Sequence, residues 1–138
     1  MRIGVSGANG NKSAARKYAY WISTTLLCLL YLASATMYVM KGDMVRQALG
    51  ALGYPAYLVP FLITVKILGV AAILSRVNVA LSDLAYAGMS YHLLLAFSAH
   101  INAGDGGFPP AIIGLCALIV SFLTQNAART RSSPYALG

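Results

Sequence analysis

A lone lysine, Lys66, stands mid-way along an apolar run over residues 57–74, and a lone histidine, His92, stands mid-way along the next, over 84–100. If these runs lie in lipid, a charge at such a depth costs roughly 2.5–3.5 kcal/mol, so Lys66 must face an interior or a wet cavity and needs a partner there. No carboxylate lies within a run, which leaves an aspartate at a run's end, tyrosine hydroxyls, backbone carbonyls or an anionic ligand. Polar glue between helices is the alternative to a functional role, and the two weigh equally. His92 shares a stripe with Ala85, Gly88, Ala96 and Ala99 at three-to-four-residue spacing, the small-residue pattern of close helix packing in lipid. That stripe points His92 inward, within reach of Lys66, for a ligand hydrogen bond or a proton relay; a packed neutral histidine is the simpler alternative. Tyr31 falls in the first run with Thr24, Cys28, Ala35 and Tyr38 at heptad-like spacing, which turns its hydroxyl to the same interior. Gly114, Ala117 and Ser121 form a further small-residue face, read as packing.

His100 follows His92 by eight residues, a rotation of about 80° at 3.6 residues per turn, so the two imidazoles cannot chelate one metal from a single helix. With Asp105, His100 reads as a polar cluster at the outer face. No metal site is expected. Cys28 and Cys116 lack the close spacing of a zinc or redox pair and read as buried structural thiols. Paired carboxylates, a nucleotide loop and a nucleophile elbow are all missing from the runs, so the residues name no catalytic group and leave open whether the chain is an enzyme.

The elements that position these residues follow from composition. Of 138 residues 59% are apolar and 9% charged, the mean hydropathy is +0.70, and the acidic residues are Asp43, Asp83 and Asp105 alone. Soluble domains carry roughly 25% charged residues, so lipid is the solvent that fits. The net charge of +7 does not form a nucleic-acid face, because Arg2, Lys12, Arg16 and Lys17 precede the first run and Arg129 and Arg131 follow the last. Runs over 18–40, 57–74, 84–100 and 111–123 predict an all-α integral membrane bundle of four transmembrane helices, the first about long enough for the roughly 20 residues a hydrocarbon core demands and the last the shortest. After the first, Asp43 is placed to cap a short interfacial amphipathic helix carrying Met44, Val45, Ala48, Leu49 and Leu52, ended by Gly53-Tyr54-Pro55. The short 75–78 connector makes the second and third spans antiparallel neighbours, and the fourth begins at Pro109-Pro110.

Three units result: a flexible basic cytoplasmic tail over 1–17, a transmembrane domain over 18–124 and a basic cytoplasmic tail over 125–138. Ala33-Ser34-Ala35 imitates a signal-cleavage site, but the apolar run continues through Met40, which a cleaved leader does not need. Counting Lys and Arg by side puts both termini in the cytoplasm, with Arg76 inside and only Lys41 and Arg46 outside.

Gly53-Tyr54-Pro55 before the second run, Lys66-Ile67-Leu68-Gly69 within it, Ala85-Tyr86-Ala87-Gly88 opening the third, and His100 followed by Gly104-Asp105-Gly106 together resemble the DoxX-like family of small bacterial membrane proteins, over about 18–124. The family takes its name from the membrane subunits of an archaeal thiosulfate:quinone oxidoreductase. The resemblance implies a four-helix bundle in the bacterial inner membrane, a link to quinone or sulfur redox chemistry, and Lys66, Gly69, His100 and Asp105 as candidate positions. His92 and Tyr31 come from the residues themselves. The leading expectation is a bundle that binds a quinone or another small amphipathic molecule near Lys66, Gly69, His92 and Tyr31. Its rivals are a membrane anchor for a redox partner, held through the basic tails, and a non-catalytic scaffold or assembly factor. A homo-oligomer fits any of them, and nucleic acid is not an expected partner.

Overall fold

A computed structural model describes residues 5–138, all in helices and their connections. The helices are α1 (Val5–Met40), α2 (Gly42–Ala51), α3 (Leu58–Ser75), α4 (Val79–Ala103) and α5 (Pro109–Thr124), followed by a 3-10 turn at Gln125–Ala128. α1 packs against α3 and α5, and α4 packs against the same two, so the long helices close a ring. Within it Leu27, Cys28 and Tyr31 of α1 meet Val70 and Ile73 of α3, Tyr86, Met89 and Leu93 of α4, and Ala117 and Leu118 of α5. The outside is equally apolar: Ile22, Leu29, Leu68, Leu84 and Ile113 are exposed. An apolar exterior around an apolar core is the mark of a lipid-facing bundle. Three described segments, Asn9–Met40, Leu58–Ser75 and Pro109–Ala128, are long and apolar enough to cross a membrane. α4 is longer than α3 but more polar, since Ser82, Asp83, Ser90, His92, Ser98 and His100 interrupt it.

The expected stripe of α1 is the face that packs. Thr24, Cys28, Tyr31 and Ala35 are buried. α1 also reaches back to Val5, through the stretch expected to be an irregular tail. Extending an existing helix adds hydrogen bonds with no new nucleation cost, which offsets the weak propensities of Asn9, Gly10 and Ser13. Arg2 lies outside the described residues.

The segment after α5 is also more than a tail. Ser133 is buried, donates from Oγ to Asp83 Oδ2 at 2.8 Å and exchanges two hydrogen bonds with Asn126, while buried Gln125 donates to Asp83 Oδ1 at 3.1 Å. Leu137 N–H donates to the Leu123 carbonyl, and Arg16 donates to the Gly138 carbonyl. The chain after Thr124 thus folds back across the end of the ring.

At the opposite end of α1, α2 seats Val45 and Leu49 against Val59 of α3 and leaves Met44 and Ala48 exposed. Asp43 does not cap it. Lys41 occupies the cap position, and Asp43 sits in the first turn, paired with Arg46 at 2.9 Å. An acidic side chain there still favours the helix through its dipole. Gly53, at φ +85°, ends the helix in a conformation that disfavours any side chain.

A hydroxyl knot holds α1, α4 and α5 together. Ser121 Oγ lies 2.5 Å from Thr24 Oγ1 and 2.6 Å from the Tyr86 hydroxyl, and all three side chains are buried. Gly114 lets α4 approach α5, because a Cβ there would fall 2.9 Å from Leu93 Cδ2.

Candidate functional site

α3 is apolar on every side, so Lys66 alone marks which face turns inward. The side chain is only 4% exposed. Its Nζ donates to Ser34 Oγ at 2.5 Å and lies 4.0 Å from the centre of the Tyr38 ring, so its partners come from α1. A cation over an aromatic face and a hydroxyl at its side replace part of the hydration that burial removed. Tyr31, Ser34 and Tyr38 recur at three and four residues along α1 and share one helical face.

On α4, His92 Nδ1 lies 3.0 Å from the Tyr31 hydroxyl, with the rings edge to face at 5.6 Å. The same hydroxyl donates to the Met89 carbonyl at 3.3 Å. Among the described residues Nε2 has no hydrogen-bond partner. The stripe predicted to bury His92 is displaced by one position. Ser82, Tyr86, Met89 and Leu93 are the buried face of α4, and Ala85, Gly88 and His92 flank it. Small residues on the flank leave room where a larger side chain would fill it.

That room is a groove of about 520 Å³ between α3 and α4, open to the outside along exposed Phe61, Leu84 and Leu95, with Tyr31, Lys66, Gly69 and His92 at its base and Ala85 and Gly88 on its α4 side. The four residues singled out in the first three runs therefore meet at one place. Gly69 brings the helices close, since a Cβ there would lie 2.9 Å from Met89 Cε. A second cavity, of about 260 Å³, also touches Tyr31, Lys66 and His92 and extends past Ser34 and Tyr38 to His100 and Gly107. The polar side chains thus stand between an apolar groove and a more polar pocket. Pockets of this kind, apolar with a few convergent polar groups, are the usual form of small-molecule sites.

His100 and Asp105 form a pair of their own. Nδ1 of His100 lies 2.9 and 2.8 Å from the two carboxylate oxygens, and Gly107 N–H donates to Oδ1 at 2.8 Å. The Gly107 amide first, and the imidazole beside it, hold the Asp105 carboxyl below its ordinary value. Gly107 has no space for a side chain, because a Cβ would fall 2.7 Å from His100 Nδ1. Gly107→Ala is expected to push the imidazole off the carboxylate and return the Asp105 titration upward toward its ordinary value. Carboxyl ¹³C shifts followed against pH in labelled protein read that change directly.

Sequence reasoning missed Ser34 as the partner of Lys66, although its spacing from Tyr31 and Tyr38 placed it on the right face. It also missed Asp83, Gln125 and Ser133, which no local pattern connects. The cysteines divide: Cys28 is buried in the core and Cys116 is exposed on the outer face of α5.

A family model described as DoxX-like family matches residues 22–122. No curated protein and no solved structure matches the chain. The family match and the three apolar helices make the chain a membrane protein.

Proposed function

We propose that this chain, which belongs to the DoxX-like family, holds one small amphipathic molecule of the quinone class between α3 and α4. The observation that carries the reading is the convergence of Lys66, His92 and Tyr31 on an otherwise apolar cavity of about 520 Å³. The Lys66 amino group has N–H to spare beyond the Ser34 bond. The Tyr31 hydroxyl gives its one proton to the Met89 carbonyl and so accepts from His92 Nδ1–H, which leaves His92 Nε2 as an acceptor. A donor at Lys66 suits a carbonyl oxygen of a quinone head, an acceptor at His92 suits the hydroxyl of its reduced form, and the Phe61, Leu84 and Leu95 wall suits its tail. The role is that of a binding or accessory subunit.

In this reading α4 also spans the membrane, as the third of four in chain order, and α2 lies along the outer interface of the bacterial inner membrane, with both termini cytoplasmic. Support for the orientation comes from where the bases gather. Arg16 bonds to the C-terminal carbonyl and Arg76 to Ala128, so the N-terminal half of α1, the α3–α4 connector and the segment after α5 share one basic end. Cytoplasmic loops carry that excess. A polar residue inside α4 is tolerated where it faces protein or a wet cavity, as His92 does.

Gly88 supplies the test. It lines the cavity, and a Cβ built on it meets nothing within 4 Å. Gly88→Phe is therefore expected to fill the groove without disturbing the core and to gain about 0.3–0.5 kcal/mol in helix propensity. Wild-type protein purified in mild detergent should yield about one quinone per chain on solvent extraction and mass spectrometry, and Gly88→Phe should yield none while melting no lower. A wild-type preparation that carries only phospholipid, and gains no quinone on incubation, contradicts the proposal.

A further inference from the structure

The basic end of the molecule contains a second concavity, of about 710 Å³, at the junction of α3, α4 and the C-terminal segment. Arg76, Arg129 and Arg131 line it together with Asn78, Val79 and Ala80, and no carboxylate is among its lining residues. Arg76 terminates α3 in the left-handed region, φ +53°, the single described non-glycine residue with positive φ. A long side chain in that conformation is held by what surrounds it. Both of its Nη atoms donate to the Ala128 carbonyl, at 2.6 and 2.9 Å, and the guanidinium lies 4.9 Å from the centre of the Trp21 ring. Those contacts fix the position of Arg76 and leave its charge uncompensated.

Arg129 is in greater need. Its Nε and Nη2 are buried with no hydrogen-bond partner among the described residues. A guanidinium stripped of water at two of its three nitrogens is stabilised by an anion at the third. The N-terminus of α4 opens on the same concavity. Asn78 Oδ1 occupies the Leu81 N–H, while Val79 and Ala80 line the space with the positive end of a 25-residue helix behind them.

We infer that this arginine-lined concavity binds a phosphate group, with the headgroup of an anionic phospholipid as its source in the membrane. Tetrahedral oxyanions accept from guanidinium forks and helix N-termini alike. The placement suits a lipid, because Arg76 lies ten residues beyond Lys66 on α3, about 15 Å along the axis, at the end of a helix apolar enough to span. Juxtamembrane basic clusters attract the anionic lipids of the cytoplasmic leaflet. The inference does not depend on what occupies the cavity between α3 and α4.

Trp21 is the sole tryptophan and touches Arg76, so its fluorescence reports on the site. Full-length protein in dodecyl maltoside is titrated with dioleoylphosphatidylglycerol, with dioleoylphosphatidylcholine and with sodium phosphate. A saturable change with phosphatidylglycerol and none with phosphatidylcholine is expected. Arg131 is exposed, so Arg131→Gln should leave the fold intact and weaken binding about tenfold. Arg129→Lys keeps the charge but loses the fork, and should weaken it as well. Arg46→Gln, on α2 at the other end, should change nothing. Saturation by phosphate at equal strength, again lost in Arg131→Gln, supports the phosphate site and names the free ion as its source. A response to none of the three, or one that both Arg129→Lys and Arg131→Gln leave unchanged, overturns the inference.

Discussion

Lys66→Met is expected to lose about 10- to 100-fold in affinity for a quinone analogue, the worth of one hydrogen bond from a charged or strongly polar donor, while the protein melts at or above the wild-type temperature. The two halves of that result have separate causes. The amino group is only 4% exposed and pays for its desolvation with one serine hydroxyl and one tyrosine ring. Replacing it by an apolar side chain of similar length removes that desolvation, as replacing buried ions by hydrophobic residues often does. Ser34 is not orphaned, because a serine inside a helix can bond back to the carbonyl one turn earlier. If Lys66 served only to fasten α3 to α1, the pattern would invert, with stability falling and ligand affinity unchanged. Binding isotherms and melting curves on the same two proteins separate these cases.

The largest loss of stability is expected at Ser121. Its hydroxyl joins Thr24 of α1 to Tyr86 of α4, and the side chain has no exposed surface. Ser121→Ala removes the shared partner and should cost about 1 kcal/mol, since hydrogen bonds between helices in lipid average well under the value expected for a dry interior. Ser121→Leu adds the strain of overpacking to the two orphaned hydroxyls, for a total of about 3 kcal/mol or more. The expected signature is a graded fall in melting temperature from wild type through Ala to Leu. Equal melting of all three would mean that the knot does not fasten these helices.

Much of this arrangement is legible in the residues, and the illegible part has a physical reason. Period alone identified the packed face of α1, where Thr24, Cys28, Tyr31 and Ala35 all turn inward. It misplaced the face of α4 by one residue, because a stripe of alanine and glycine looks the same whether neighbours pack on it or leave it open. Ser82, Tyr86, Met89 and Leu93 took the core, and Ala85 and Gly88 became cavity wall. α3 gave no periodic signal, being apolar throughout, and Lys66 alone oriented it. Both ends misled. The α1 extension grows from a nucleated helix despite weak local propensity, and the chain after Thr124 is held by Asp83 and Asn126, contacts between residues 7 to 50 positions apart that no local pattern announces. The pairing of His100 with Asp105, five residues apart, was within local reach and was readable.

Photolabelling the purified protein with an azidoquinone and mapping the adducts by peptide mass spectrometry locates the bound quinone directly. Labelling is expected to be confined to α3, α4 and the Tyr31 region of α1, competed by unmodified quinone and lost in Gly88→Phe. Labelling spread over the lipid-facing sides of the helices, or labelling that Gly88→Phe and competitor leave unchanged, would contradict binding between α3 and α4.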